Sequence, residues 1–582
     1  MNHRTKRRMG NLMLFLLSLV MFAVVLVRLC YVMLVQGEAW SAQALELHQR
    51  ERSIKAARGE ILDASGTVLA ANRTVCTIST VYRQVEDPEQ VIRVLSEELE
   101  LPEEDVRKRV EKYSSREIIQ TNVDKETGDR IRLYDLAGVK VDEDYKRDYP
   151  YGSVASKVLG FTGGDNQGIL GLEVEYEEVL KGTDGSILTI TDASGAELDQ
   201  MEEQRREPVA GKSLQLSLDL NIQLYCQQMA QVVLEEKQAK QVSVIVMNPK
   251  NGELYAMVNL PEYDLNHPYE QTVSAEDGTK QSVTLTDTDA LNRMWRNTAI
   301  NDTYEPGSAF KIITMAAGLD ADAVSMTSQF YCGGSITVDD RIIHCHKRTG
   351  HGAETFVEGA MNSCNPVFIQ VGESIGSSRF YRYLQQFGIL QKTGIDLPGE
   401  AGCIMHAPDA IGPVELATIS FGQSFQLTPL RLLTTVCGII NGGHSVTPHF
   451  GVRTISADGS EVTELVQPEQ MSILSEDISA QVREICEKVV SEGSGRNGAV
   501  VGYAIGGKTA TSQKLPRGSG KYIASFVGFA PAEDPEVAIL LTIDEPVGVY
   551  YGGQIAAPVV SDIFENILPY LGIEKEVQTE QK

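Results

Sequence analysis

A serine three residues before a lysine, placed just after a Pro-Gly pair, is an arrangement that could carry acyl transfer. In Tyr304-Glu305-Pro306-Gly307-Ser308-Ala309-Phe310-Lys311, the Pro306-Gly307 pair interrupts regular structure, and the apolar run Ile312 to Leu319 predicts a helix. Ser308 then falls in the first turn, where unpaired backbone N–H groups favour developing negative charge. Lys311 lies on the same helical face. An amine beside a hydroxyl can take its proton and make it a nucleophile. A Ser-x-x-Lys pair also arises by chance in a long chain, so it needs partners before it means anything.

Two candidates follow in chain order. Ser363-Cys364-Asn365 sits among apolar residues (Phe356, Val357, Met361, Val367, Phe368, Ile369). Polar residues in such a setting are often only helix caps. The second is Gly506-Gly507-Lys508-Thr509-Ala510-Thr511, expected on a strand reached through Val501 to Ile505. A cation and a hydroxyl on a strand edge could bind a carboxylate. Gly502 and Gly507-Lys508-Thr509 also match the spelling of a nucleotide-binding P-loop. That loop must run into a helix, and the polar stretch Ala510 to Gly520, with Pro516 and two glycines, excludes one.

The elements that must position these residues are partly readable. Val242 to Met247 and Leu254 to Val258 predict two strands around the turn Asn248-Pro249-Lys250-Asn251-Gly252. Near the other end, Val501 to Ser512, Tyr522 to Phe529 and Val537 to Ile543 predict three more. An amphipathic helix follows, with Ile555, Val559, Ile563, Ile567 and Leu571 at helical spacing. Strands at both ends with helices between them predict one α+β domain whose sheet joins its ends. Upstream, Arg58 to Ala70 predicts a hairpin about Ser65-Gly66, Glu86 to Tyr113 and Glu173 to Leu180 predict helices, and Glu202 to Lys212 reads as a polar linker.

The N-terminus places the chain at a membrane. Arg4, Lys6, Arg7 and Arg8 precede an almost wholly apolar run, Leu12 to Val35, in which Arg28 is the only charge. About 20 apolar residues span a bilayer, and the basic cluster predicts an inside N-terminus with the rest of the chain outside. Arg28 can reach the interface along its own stem. Ala42-Gln43-Ala44 offers a signal-cleavage pattern, but the apolar run is longer than a signal core, so an uncleaved anchor is the better reading. Residues from Gly37 to Arg50 read as that helix continuing outward.

The net charge of -27 argues against nucleic-acid binding, which needs cationic excess. The nine cysteines are scattered without a CxxC, so they do not form a disulfide scaffold. Cys332 and Cys345 bracket a turn-rich stretch and could pair in an oxidising compartment. His344, Cys345, His346 and His351, with Cys332 upstream, are also zinc-ligating types. The alternative is a surface loop whose successive side chains face opposite ways, and the reading adopted is that no metal or cofactor is bound.

Ser-x-x-Lys, Ser-x-Asn and Lys-Thr-Gly in this order resemble the three motifs of the penicillin-recognising serine enzymes. Tyr304 to Lys311 is similar to the fuller signature of class B penicillin-binding proteins. Arg58 to Ala70, Tyr149 to Gly152, Gly168 to Glu173, Asp219 to Gln223, Val246 to Met257 and Gly422 to Pro429 are similar to landmarks of that family. The Cys332/Cys345 region, ending Gly350-His351-Gly352, resembles sporulation- and division-type members.

The resemblance implies a cytoplasmic tail (1–10), a transmembrane helix (11–35) and an elongated α+β pedestal, or dimerisation, domain (36–210). A transpeptidase domain of β-lactamase-like fold, an antiparallel sheet flanked by helices, follows (211–572), then a polar tail (573–582). It implies Ser308 as nucleophile, Lys311 as its base, Ser363 as proton relay and Asn365 as a contact to the substrate amide. Lys508 and Thr509 would bind the terminal carboxylate, and the backbone N–H groups of Ser308 and Thr511 would form the oxyanion hole. The substrates implied are D-Ala-D-Ala stem peptides on a lipid-linked precursor. β-Lactams are the implied inhibitors, a polytopic lipid-II polymerase the membrane partner, and no cofactor is needed. Ala510 departs from the family, which has Gly there; its methyl could narrow the strand approach or point into the core. Two further readings compete. A carboxypeptidase or β-lactamase is disfavoured by the long pedestal, and a catalytically weak scaffold or antibiotic sensor is favoured only by Ala510.

Overall fold

The computed structural model describes residues 3–37, 40, 49–114, 116–190, 204–274 and 280–575. By internal packing the chain forms two compact units. One comprises residues 1–57, 74–146 and 183–209, the other 58–73, 147–182 and 210–582. The sequence division at 210/211 follows chain order, whereas packing draws two earlier segments into the second unit.

The first unit begins with the helix His3–Leu34. Within it, Arg8–Leu34 has no buried residue and is long and apolar enough to cross a membrane. Most of the expected continuation from Gly37 to Arg50, and the Ala42-Gln43-Ala44 pattern, lie outside the described residues. Its end is corrected: Gln49 and Arg50 open the strand Gln49–Ile54, which pairs antiparallel with Gly185–Ile190. The polar stretch from Glu202 is likewise not simply a linker, because Gln204–Arg206 extends that sheet. Pro88–Leu99 and Glu103–Val110 are the expected helices. Asp87 caps the first through Gln90 N–H, and Val91, Ile92, Leu95 and Leu99 face a small core with Cys76 and Ile78.

In the second unit a five-stranded antiparallel sheet runs in the order Leu254–Leu260, Gln241–Met247, Val537–Asp544, Tyr522–Ala530, Gly506–Gln513. The two ends of the domain therefore meet in one sheet, as expected. Alternation along Gln241–Met247 sends Val242, Val244 and Val246 to one face, against helices Leu220–Glu236 and Ala557–Tyr570. Ile245 and Met247 enter the opposite core, with residues of Lys311–Asp320, Asn365–Ile375, Pro429–Ile440 and Glu476–Ser491. One boundary is corrected: the last-but-two strand starts at Gly506, not Val501. Gly502 adopts φ +85° and a bridge joins Val500 to Tyr503, so that stretch turns instead.

The expected hairpin about Ser65-Gly66 is present. Ile61 pairs with Ala70, and Asp63 Oδ1 accepts the N–H groups of Ser65 and Thr67. Just before it, fully buried Arg58 donates through Nε to Glu173 Oε2 at 2.6 Å and through Nη1 to the Asn166 carbonyl at 3.0 Å. Arg147 Nε reaches Glu173 Oε1 at 2.6 Å, and Tyr149 donates to the same oxygen at 3.2 Å. Glu173 thus holds two guanidinium groups out of water. Arg58 Nη1 keeps Glu177 Oε2 at 2.7 Å, so Glu173→Ala would strand Arg147 and loosen Arg58, and we expect a loss of about 3–5 kcal/mol, read as an early urea midpoint of the detergent-solubilised chain. Glu173→Gln should lose less, because it still accepts hydrogen bonds.

Candidate active site

Pro306 and Gly307 end the preceding segment, as expected, but the chain then makes a 3-10 turn, Gly307–Phe310, before the helix Lys311–Asp320 begins. Ser308 lies half-buried in that turn. Gly307 (φ +55°) is held by its N–H to the Gly422 carbonyl at 2.9 Å, and a Cβ on either glycine would collide, Gly307 with Ser512 Oγ and Gly422 with the Gly307 backbone. The requirement for glycine is therefore steric. It lets the Ser308 turn lie against strand Gly506–Gln513, which among the described residues sits at the sheet edge and pairs with Tyr522–Ala530.

Lys311 is fully buried. Its Nζ donates to the Ser363 carbonyl at 2.8 Å, to Asn365 Oδ1 at 2.8 Å and to Ser363 Oγ at 3.3 Å, and it stands 5.1 Å from the centre of the Phe368 ring. Lys508, also fully buried, donates to the same Ser363 Oγ at 2.9 Å. Ser363 can stand between the two amines because its backbone is left-handed (φ 51°), which turns the chain sharply into the helix Asn365–Ile375. Four of the expected residues, Lys311, Ser363, Asn365 and Lys508, are thus brought together.

Burial, and then the charge of Lys508, hold the Lys311 amine well below the usual lysine range. Burial brings Lys508 down to about 8. A neutral Lys311 can accept a proton; a protonated Lys508 can hold an anion.

The strand carries the remaining expected residues. Lys508 and Ala510 face the helical core, and Ala510 is buried with Ala309 and Phe310. Its methyl therefore points into the core. Thr509 and Thr511 alternate to the other side. Thr511 Oγ1 accepts the Gly552 N–H at 3.0 Å, and a Cβ on Gly553 would lie 3.4 Å from Thr509 Cγ2. The Thr509 side chain thus lies on the Gly553 side of the strand, while its carbonyl accepts from Lys508 Nζ at 3.3 Å. The strand continues through Gln513 without a helix, which bears out the rejection of a P-loop.

The cysteine-rich stretch is neither the disulfide nor the surface loop that the sequence allowed. Cys332 and Cys345 are free thiols rather than a disulfide, and both are buried rather than displayed on a surface loop. His344 and His346 are exposed. His351, however, converges with Cys332, Cys345 and Cys364, their ligand atoms all within 4.8 Å of one another. These four could hold a metal ion. Cys364 was missed because it sits inside the Ser363-Cys364-Asn365 motif, where its neighbours claim the chemistry. The spacing Cys332, Cys345, His351, Cys364, with Gly334 and Gly350 between, was the available signal.

A helical layer and an antiparallel sheet that bring a Ser-x-x-Lys turn, a Ser-x-Asn turn and a Lys-Thr strand together define the penicillin-recognising class of protein. The chain belongs to the penicillin-binding proteins: residues 242–565 match the Penicillin binding protein transpeptidase domain and residues 53–216 the Penicillin-binding Protein dimerisation domain. It is 38% identical over 595 residues to Stage V sporulation protein D of Bacillus subtilis, covering 100% of this chain and 88% of that one. It is 29% identical over 568 residues to the Probable peptidoglycan D,D-transpeptidase PenA of Neisseria meningitidis, covering 95% and 91%. Its fold is that of Penicillin Binding Protein 2X from Streptococcus thermophilus (TM-score 0.74, 20% identity, 90% of this chain and 83% of that one). It is also that of Penicillin binding protein 3 from Mycobacterium tuberculosis complexed with aztreonam (TM-score 0.67, 24% identity, 90% and 98%).

Two outcomes are expected. Lys508 is charged below about pH 8 and neutral above it, so the second-order rate of acylation by benzylpenicillin, a carboxylate, should fall as pH rises through about 8. Ala510→Gly removes a buried methyl from a strand, so it should cost about 0.5–1 kcal/mol in a denaturant titration and leave or raise that acylation rate.

Proposed function

We propose that this chain cross-links peptidoglycan as a serine acyl-enzyme D,D-transpeptidase and is acylated by β-lactams at the same serine. The observation that carries this is the buried, depressed Lys311 amine bonded to Ser363 and Asn365, three residues after Ser308. Ser308 Oγ attacks the carbonyl between the two terminal D-alanines, and Lys311 takes its proton. The N–H groups of Ser308 and Thr511 receive the oxyanion. The C–N bond breaks, Ser363 relays a proton to the departing D-alanine, and Asn365 holds the substrate amide. Lys508, with Thr509 beside it, binds the terminal carboxylate. The amine of a second stem peptide then attacks the ester, forms the cross-link and releases Ser308 with its proton.

In this reading residues 36–210 are the pedestal, residues 211–572 the catalytic domain, and the helix Arg8–Leu34 a single-pass membrane anchor with the N-terminus in the cytoplasm. A polytopic lipid-II polymerase in the same membrane supplies the glycan strands. Ala510, the one residue that favoured a weak scaffold, faces the core. Intact-mass analysis after benzylpenicillin should show one stable adduct, absent in Ser308→Ala. A folded wild type without an adduct would remove the serine mechanism.

A further inference from the structure

Three cysteines and a histidine from four separate points of the chain meet behind the Ser363–Asn365 turn. Cys332 ends the strand Gln329–Cys332, Cys345 follows Arg341–His344, His351 precedes Gly352–Thr355, and Cys364 caps Asn365–Ile375. Cys332, Cys345 and Cys364 are at most 1% exposed, and all three are free thiols. Three soft ligands and one imidazole are a zinc donor set. With zinc–sulfur bonds of about 2.3 Å and zinc–nitrogen bonds of about 2.05 Å, tetrahedral edges are about 3.8 Å between sulfurs and about 3.6 Å from sulfur to nitrogen. His351 Nδ1 lies 3.7 Å from Cys345 Sγ, and all four ligand atoms fall within 4.8 Å.

Independent features fit a built site. The loop closes through two left-handed glycines, Gly334 (φ +93°) and Gly350 (φ +80°). A Cβ on Gly334 would strike the Arg348 carbonyl, and one on Gly350 the Cys332 carbonyl. Buried Glu354 accepts Asn362 Nδ2 at 3.1 Å through Oε2, while its Oε1, without a hydrogen-bond partner, faces His351 Nδ1 at 3.8 Å. That buried, unpaired carboxylate oxygen is aimed at the nitrogen turned toward Cys345, where a bound cation would supply the partner it lacks.

We propose that Cys332, Cys345, His351 and Cys364 bind one divalent zinc-class ion, which fixes the Ser363-Cys364-Asn365 turn against Lys311. Binding releases the three thiol protons to solvent and leaves three thiolates on the ion. Cys364 lies between Ser363 and Asn365, so an ion that holds its sulfur holds both neighbours. Asn365 adds a second tie: Oδ1 accepts from Lys311 Nζ while Nδ2 donates to the His344 carbonyl of the metal-binding loop at 3.3 Å. Cys364 is on this account a positioning residue.

Elemental analysis of the full chain, purified in detergent without chelator, should find one zinc per chain. Three thiols should resist alkylation until the metal is removed. Cys332→Ala and Cys345→Ala should each drop the zinc to background. A folded wild type free of zinc, or one that lacks two hydrogens through a Cys332–Cys345 disulfide, overturns the site, as does full zinc in both variants. None of these outcomes bears on Ser308, whose adduct is a separate measurement. The positioning role alone rests on the acyl-enzyme reading. Chelation should slow benzylpenicillin acylation on the order of 10²-fold, the cost of misplacing a reacting group by about 1 Å. Added zinc should restore the rate in wild type and not in Cys345→Ala; an unchanged rate after complete zinc removal overturns that role.

Discussion

Two amines, both fully buried, share one hydroxyl. Lys311 and Lys508 each donate to Ser363 Oγ, and the other bonds described for them go to carbonyl and amide oxygens rather than to carboxylates. Two ammonium ions in such a place repel each other and have lost their water, so at neutral pH the fold favours one charge, not two. The proposed division of labour between base and anion-binder rests on that single constraint. The surroundings serve it: the left-handed turn at Ser363 presents the hydroxyl, and the apolar helix Lys311–Asp320 denies the first amine to solvent. The strand Gly506–Gln513 brings the second from far along the chain.

The lysines also explain why the glycines sit where they do. The Ser308 turn reaches the strand only because Gly307 and Gly422 allow backbones to approach within distances no side chain would permit. Elsewhere in the same unit, Glu173 does with two arginines what Ser363 does with two lysines. It gives buried cations a common acceptor, there a charged one, with Glu177 adding a second carboxylate at Arg58.

Local chemistry made much of this readable in the sequence. The three motifs, the Asp63 turn, the Asn248–Gly252 turn and the terminal amphipathic helix all declare themselves within a few residues. What stayed hidden depends on contacts distant in sequence. Val501 to Ile505 has strand-like residue types, yet the turn at Gly502 overrides them. Ala510 could be assigned to a face only once Lys508 was seen bonded to Ser363, since strand alternation then places its methyl in the core. Cys364 looked like filler between two polar residues because its three companions lie upstream, in a segment with no helical or strand period linking them to it.

The order of strands has a consequence for how the site comes into being. Val537–Asp544 lies between Gln241–Met247 and Tyr522–Ala530, so the N-terminal hairpin has no link to the strand of Lys508 until nearly the whole chain exists. Pairings this remote in sequence close late, after local turns and helices have formed. The Ser308 turn and the Lys311 amine therefore precede the arrival of Lys508, and in the proposed mechanism the nucleophile waits without its anion-binding partner through most of biosynthesis. Topology alone delays reactivity until folding is nearly finished.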